Sequence, residues 1–238
     1  MTAVTGRPAL RPRSALGALL LCAAVLLGPQ MMAAASSPAS SRAEAKKLLL
    51  TLHDMPKGWK TEPGSSGGSS NTFPGASQLA SCIGVPASLV NSNPPQSVSP
   101  YFENKSGLLE VQDTVSVFPS AKTAAANFSA LNNAKTPGCM TTLMNGPLKA
   151  QILASAGKGA TLGTITVTKA NLSGFPAGAS GIVMSLPITD QGASINAILT
   201  AVYYRKGKLG QEIDFNSYGP TFPVSLAKSL TSTALHRL

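Results

Sequence analysis

The sequence is poor in the residues that most often carry out chemistry. It has two histidines, His53 and His236, and three cysteines among 238 residues. Neither histidine stands at ligand spacing from a cysteine, which argues against a zinc site. No G-x-S-x-G turn is present, and the glycine–lysine–glycine run at 157–159 lacks the spacing and the following helix of a phosphate-binding loop. The sequence therefore predicts a non-catalytic protein that holds no cofactor and no metal.

One pair of carboxylates keeps an enzymatic alternative open. Glu212 and Asp214 share one face of a predicted strand, which places them about 7 Å apart by strand rise. Paired carboxylates at such a separation can hydrolyse glycosides. Both residues fall on the polar face of a predicted hairpin, which favours a solvated surface. A hydrolase that uses this pair is therefore the remote alternative.

Acidic residues and aromatic residues are both scarce. The chain has 9 acidic and 19 basic residues, a formal net charge of +10, and 5% aromatic residues. The basic residues are scattered, whereas a nucleic-acid binder concentrates them on one stripe with aromatic residues between them. The sequence therefore predicts no nucleic-acid partner. A basic surface of this kind favours at most a weak attraction to anionic envelope polymers or lipid head groups.

No apolar run is long enough to span a bilayer. The apolar run at 15–27 falls short of the about 20 residues that a spanning helix needs. Three arginines precede it, and Ala33, Ala34 and Ala35 follow it as a small-residue cleavage site. This order predicts a secretory signal peptide over residues 1–35, cleaved near Ala35, and a short polar leader over 36–41. The mature protein is thus expected to be secreted or associated with the cell wall.

Cys22 lies inside the apolar run of the predicted signal peptide. Three leucines precede it, and the run continues for five residues beyond it. A lipoprotein signal has a small residue before the cysteine and ends there, so lipidation is not expected. The other two cysteines, Cys82 and Cys139, would then reside in an oxidising compartment and are predicted to form one disulfide. Two free buried thiols are the alternative.

The clearest structural pattern runs from 109 to 139. Apolar residues alternate with polar ones over 109–117, which predicts a strand with one face on a core and the other toward water. Asp113 interrupts the apolar row and indicates a bulge or a position near a sheet edge. Ser120 is a good N-cap for the helix predicted to follow it, and alanines give that helix a narrow apolar stripe.

The remaining segments complete an α+β pattern. A helix is predicted over 42–53, a flexible Gly/Ser-rich loop over 62–75, and a short strand over 98–103 that forms a hairpin with 109–117. The C-terminal half predicts a four-strand meander (161–172, 181–188, 194–205, 209–216) and a last helix over 222–237. Strand 194–205 is apolar on both faces and belongs in mid-sheet.

The predicted architecture is a single domain over 42–238. It consists of a mostly antiparallel sheet of about five to six strands with helices packed on it, because adjacent strands joined by short turns pair antiparallel. Three aromatic residues within it are candidates for either ligand stacking or packing: Trp59, Tyr203 and Phe215.

Four short motifs carry a family resemblance. They are PKGW at 56–59, SCIGVP at 81–86, VSVFPSA at 115–121 and the Gly-Cys pair at 138–139. The chain resembles a family of exported actinobacterial proteins related to PsbP-like domains and to the extracellular sensor domains of mycobacterial Ser/Thr kinases. The resemblance implies an antiparallel sheet flanked by helices, a cysteine pair, and binding or sensing without catalysis. Sensor domains of that type carry two disulfides, whereas this chain is expected to form one.

Two functions from different classes follow. The first is an exported, non-catalytic binding or sensing module of the actinobacterial envelope that captures a small apolar or amphiphilic ligand between its sheet and its helices. The alternative is a structural or protein-interaction component of the envelope that uses the basic surface or the 62–75 loop. The identity of the ligand or envelope partner and the oligomeric state are not encoded in any recognisable pattern.

Overall fold

A computed structural model describes residues 37–62, 75–90, 92–156, 159–190 and 192–238. The predicted signal peptide, the cleavage site at Ala35, Cys22 and most of the 62–75 loop lie outside the described residues. The described chain forms one antiparallel sheet with helices on both faces, which confirms the α+β class. None of its helices is both long enough and apolar enough to span a bilayer.

Short helices and strands alternate in the first half of the described chain, whereas three long strands and a long helix dominate the second half. The helices are α1 (Pro38–Lys46), α2 (Ala76–Ile83), α3 (Ala87–Val90), α4 (Ala121–Leu131), α5 (Thr136–Asn145), α6 (Lys149–Ala156) and α7 (Val224–Arg237), and a 3₁₀ turn at Leu52–Asp54 follows α1. The strands are β1 (Lys60–Glu62), β2 (Gln96–Val98), β3 (Tyr101–Glu103), β4 (Leu109–Val117), β5 (Thr161–Leu162), β6 (Thr166–Lys169), β7 (Ser180–Asp190), β8 (Ala193–Lys206) and β9 (Leu209–Tyr218).

The sheet has nine strands in the order β1-β3-β4-β9-β8-β7-β5, with β2 paired to β4 and β6 paired to β7. The predicted number of five to six strands was too low. The strands β1, β2 and β5 have only two or three residues, too few for a period-two pattern to be visible. The doubly apolar strand β8 lies in mid-sheet between β9 and β7, as predicted.

Strand β4 is interior, which corrects the prediction for Asp113. It pairs with β9 along its whole length, from Leu109 opposite Ser217 to Val117 opposite Leu209. On its other side it pairs with β2 and then β3, and the break between those two partners lies opposite Asp113. Asp113 is therefore fully buried and is not at a sheet edge.

Helices cover both faces of the sheet. The first face carries α1 and α7, whose residues Ala45 and Leu230 pack onto β4, β8 and β9. The second face carries α4 over β8 and β9, and α5 over β6. The polar residues Gln112 and Thr114 of β4 point to this second face and are buried, so the prediction that they face water was wrong. A period-two pattern identifies the two faces of a strand but does not reveal a helix that covers the polar one.

Helix ends follow local chemistry. The Oγ atom of Ser37 accepts from the N–H of Ser40 at 3.2 Å, and Pro38 occupies the first turn, so α1 begins within the segment predicted as a leader. It also ends earlier than predicted, at Lys46, because the chain then turns down onto the sheet. The predicted cap at Ser120 is confirmed, since its Oγ accepts from the N–H of Thr123 at 3.1 Å.

The predicted disulfide is confirmed. Cys82 in α2 is bonded to Cys139 in α5, with their Cα atoms 5.9 Å apart and a separation of 57 residues along the chain. The bond joins two helices of the second face around a core that includes Leu79, Ile83 and Leu143. A disulfide of this kind is typical of proteins that fold in an oxidising, exported compartment.

Candidate functional site

An open groove lies between the α1 segment and the strands β2 and β3. Its volume is about 630 Å³. Its floor is apolar and includes Leu49, Leu50 and Phe102, while Arg42 and Lys46 of α1 stand at its rim. We call this feature the α1 groove.

The wall of the α1 groove is fixed to the sheet. Leu49 packs beside Val115 and Val117 of β4. The Oγ atom of Ser97 in β2 donates to the backbone oxygen of Arg42 at 2.8 Å. These contacts make the groove a largely preformed feature of the fold, as binding sites for small molecules usually are.

Positive charge dominates the rim. Arg42 and Lys46 are one helical turn apart, so their side chains lie on the same side of α1. The nearby Glu44 carboxylate is paired with Lys208 at 3.3 Å. Among the described residues that line the α1 groove there is no carboxylate. An anionic head group at the rim would therefore meet two cations and no carboxylate among the residues that line the groove.

Asp113 lies beneath the floor of the α1 groove and is hydrogen-bonded to it. Its Oδ2 atom accepts from the N–H of Leu50 at 2.7 Å, and the Nε2 atom of Gln211 lies 3.0 Å from each carboxylate oxygen. Burial raises the pKa of Asp113 to about 7, although these hydrogen bonds oppose the rise. The Oε1 atom of Gln211 has no partner among the described residues, so a side-chain flip would let it accept from a protonated Asp113.

The substitution Asp113→Asn is expected to change how stability depends on pH. Between about pH 4 and pH 7 the unfolded chain loses the Asp113 proton while the folded chain keeps it, so the native protein loses stability as pH rises. Asparagine cannot ionise, so the variant does not share this loss. The difference in unfolding free energy between the variant and the native protein should therefore shift by about 4 kcal/mol in favour of the variant between pH 4 and pH 8. Urea denaturation across this range measures it.

The matched control is Asp190→Asn, at the end of β7, where the side chain is partly exposed. The Asp113→Asn variant should depart from the pH dependence of this control by the amount stated for it. A parallel pH dependence for Asp113→Asn would show that Asp113 is already ionised in the folded protein at low pH.

The predicted carboxylate pair is buried, and the expectation of a solvated surface was wrong. Glu212 is 8% and Asp214 is 4% exposed, because α4 covers this part of the second face. Burial and then the charge of Asp214 raise the pKa of Glu212 far above its usual range. The pKa of Asp214 rises to about 7, first through burial and then through Asp113. The adjoining cavity, of about 50 Å³, has room for a water molecule but not for a sugar ring.

The three candidate aromatic residues do not form one site. Trp59 is partly buried and packs against the cluster that contains Leu50 and Phe102. Phe215 is fully buried, with its ring centroid 5.0 Å from that of Phe222. Tyr203 lies on the opposite face beside the small cavity, and its pKa is raised by burial and then by Glu212. None of the three lines the α1 groove.

Sequence reasoning missed the groove residues themselves. The helix predicted over 42–53 contains Arg42 and Lys46, but no sequence pattern places them beside β2. The signal that could have found them is the pair of cations one turn apart, followed directly by the leucine run at 48–50.

A second group of polar residues could hold a metal ion. Glu62, Glu103 and Glu110 lie on β1, β3 and β4, and one carboxylate oxygen from each is within 4.8 Å of the others. This acidic cluster lies on the second face of the sheet, because Glu103 is paired directly with Glu110. No pattern in the sequence groups these three residues.

Comparisons with known proteins point to a distant structural neighbour. A scan against protein-family models found no match, and a search of curated proteins found none. Among solved structures, the chain is similar to the "Crystal structure of the extracellular domain of PknH from Mycobacterium tuberculosis", with a TM-score of 0.45 and 11% sequence identity. The similarity covers 88% of this chain and 98% of that one. A similarity at this level assigns no function to the chain.

Proposed function

We propose that the protein is an exported, non-catalytic binding module that holds an anionic amphiphile in the α1 groove. The observation that carries the proposal is the combination of an apolar floor with two cations on one side of the rim. A PsbP-like, sensor-type role in the envelope, which the sequence resemblance implies, is part of the same proposal. The disulfide supports the exported location.

The size and the floor of the groove suit an alkyl chain. Small-molecule sites usually measure about 300–1,000 Å³, and the α1 groove falls within that range. A chain lying across Leu50 and Phe102 would gain about 0.8 kcal/mol for each methylene group it buries. Apolar contact therefore supplies most of the affinity and little selectivity for the head group.

The rim supplies selectivity for charge. The guanidinium of Arg42 can bind two oxygens of a phosphate or carboxylate at once, while Lys46 acts as a point charge. Both side chains are exposed, so water and salt weaken their attraction to the ligand. We therefore expect a preference for anionic over cationic head groups that decreases as salt increases.

Three amphiphiles with the same alkyl chain test the proposal. Dodecyl phosphate, dodecyl maltoside and dodecyltrimethylammonium are titrated below their micelle concentrations into the mature exported protein. Calorimetry measures affinity, and the fluorescence of Trp59, the single tryptophan, reports on the floor cluster that it contacts. The phosphate should bind at one saturable site, at least about 10-fold tighter than the ammonium compound. Equal affinities, or no saturable binding, would contradict the proposal and favour the envelope interaction protein.

A further inference from the structure

The acidic cluster is assembled by strand register. Glu103 lies directly opposite Glu110 in the β3–β4 pair, and Glu62 lies opposite Tyr101, two residues from Glu103. Residues directly opposite and diagonally across neighbouring strands are close enough for their side chains to meet. The sheet therefore brings three carboxylates from three strands to one position at its edge.

The carboxylates of the cluster are already oriented. Tyr218 donates a hydrogen bond from its hydroxyl to the Oε2 atom of Glu110 at 2.8 Å. Glu103 is 1% exposed, and its Oε1 atom lies 2.5 Å from the Nζ atom of Lys60. Lys60 is largely exposed, so it can turn to solvent without disturbing the sheet. The hydrogen bond from Tyr218 resembles the outer contacts that orient metal ligands.

Asn216 is an independent pointer to a ligand at this position. It lies directly opposite Glu110 in the β4–β9 pair and is fully buried. Burial raises the pKa of the Glu110 carboxyl. The Asn216 side chain lies close enough to this carboxyl to help lower the pKa. Neither the Oδ1 nor the Nδ2 atom of Asn216 has a hydrogen-bond partner of good geometry among the described residues. Buried amides are almost always paired, and the amide of Asn216 lies beside the Glu110 carboxyl, so a cation bound there would give its oxygen a partner once the amide is turned over.

We propose that Glu62, Glu103, Glu110 and Asn216 bind a hard divalent cation, with Ca²⁺ as the preferred ion. All four offer oxygen ligands, three carboxylates and one amide carbonyl, which is the chemistry that Ca²⁺ takes. Ca²⁺ tolerates irregular geometry and completes its shell with water, whereas Mg²⁺ requires a near-octahedral arrangement. On binding, the cation replaces the Lys60 ammonium at the Oε1 atom of Glu103. It joins β1, a three-residue edge strand, to β3, β4 and β9.

Titration with the metal alone tests this site without reference to any amphiphile. Mature exported protein is treated with a chelator, dialysed, and titrated with CaCl₂ or MgCl₂ by calorimetry. One Ca²⁺ should bind with a dissociation constant of about 10⁻⁴–10⁻³ M, as in extracellular modules, and Mg²⁺ should bind at least about 10-fold more weakly. Tb³⁺ should also bind, with luminescence sensitised by excitation of Tyr218, which contacts the ligand Glu110.

Two variants and a control distinguish a specific Ca²⁺ site in the acidic cluster from a general attraction of Ca²⁺ to carboxylates. Glu110→Gln and Asn216→Ala should each weaken Ca²⁺ binding at least about 10-fold. The control Glu44→Gln removes an exposed carboxylate outside the cluster and should leave binding unchanged. Thermal melts without metal establish that each variant is folded. Because Glu110→Gln removes like-charge repulsion from the cluster, it should fold at least as well as the native protein. No Ca²⁺ binding by the native protein, or equal losses in the control, would overturn the proposal.

Discussion

Replacing Arg42 and Lys46 together by glutamate is expected to weaken dodecyl phosphate binding by about 10- to 100-fold. Each substitution removes an attraction and adds a repulsion at the rim of the α1 groove, and exposed charges of this kind contribute modestly per pair. The apolar floor is unchanged, so binding of dodecyl maltoside should stay within about twofold of the native value. Calorimetry with both compounds separates the effect on the head group from the effect on the chain.

A control with the same change in net charge makes this result specific. Lys122 and Lys135 are exposed and lie at α4 and just before α5, away from the groove. Replacing both by glutamate should leave dodecyl phosphate binding nearly unchanged. If the control weakens binding as much as the rim variant, the preference for anions comes from the net charge of the protein. The assignment of the head group to Arg42 and Lys46 would then be wrong.

Replacing Cys82 and Cys139 together by serine should cost about 4 kcal/mol of unfolding free energy. The disulfide closes a loop of 57 residues, and without it the unfolded chain regains that conformational freedom. The helices that it joins cover the second face, opposite the α1 groove. At a temperature where the variant is folded, dodecyl phosphate should therefore bind with native affinity.

Urea denaturation with and without a reductant provides the control. Reduction should lower the midpoint of the native protein toward that of the double variant, and should have no effect on the variant itself. Equal midpoints for the native protein and the variant under oxidising conditions would mean that the bond contributes nothing to stability. A loss of amphiphile binding by the folded variant would mean that the two faces are coupled.

Features set by local pattern were predictable from the sequence. The period-two runs in β4, β8 and β9 and the cap at Ser120 depend on neighbouring residues, and the structure confirms them. The pairing of Cys82 with Cys139 was predictable for a different reason. Cys22 lies in the predicted signal peptide, so these two are the cysteines expected in the oxidising compartment. The α+β class follows from the order of these elements.

Features set by burial of polar residues were not predictable. Asp113, Glu212 and Asp214 all appear in alternating strands, where a polar residue is usually taken to face water. Glu212 and Asp214 are buried by α4, which lies far from them in the sequence, whereas Asp113 is buried on the first face, where it accepts from the N–H of Leu50. No local pattern reports which helix will cover which face.

Both proposed sites depend on long-range register. The α1 groove joins residues 42–52 to residues 96–102, and the acidic cluster joins Glu62, Glu103 and Glu110 to Asn216 across four strands. Two of the strands concerned, β1 and β3, have three residues each and carry no readable periodicity. The charged residues at both sites are ordinary surface types, so only their arrangement in the sheet suggests a function.

Photo-crosslinking tests the location of the amphiphile most directly. An anionic amphiphile with a phosphate head and a diazirine at the end of its alkyl chain is bound to the mature protein, activated by light, and mapped by peptide mass spectrometry. Labelling is expected at residues 42–52 and 96–102, and it should be reduced by excess dodecyl phosphate and by the Arg42→Glu, Lys46→Glu double variant. Labelling concentrated on α4 and β9, or labelling that excess dodecyl phosphate does not reduce, would contradict the proposed location of the amphiphile.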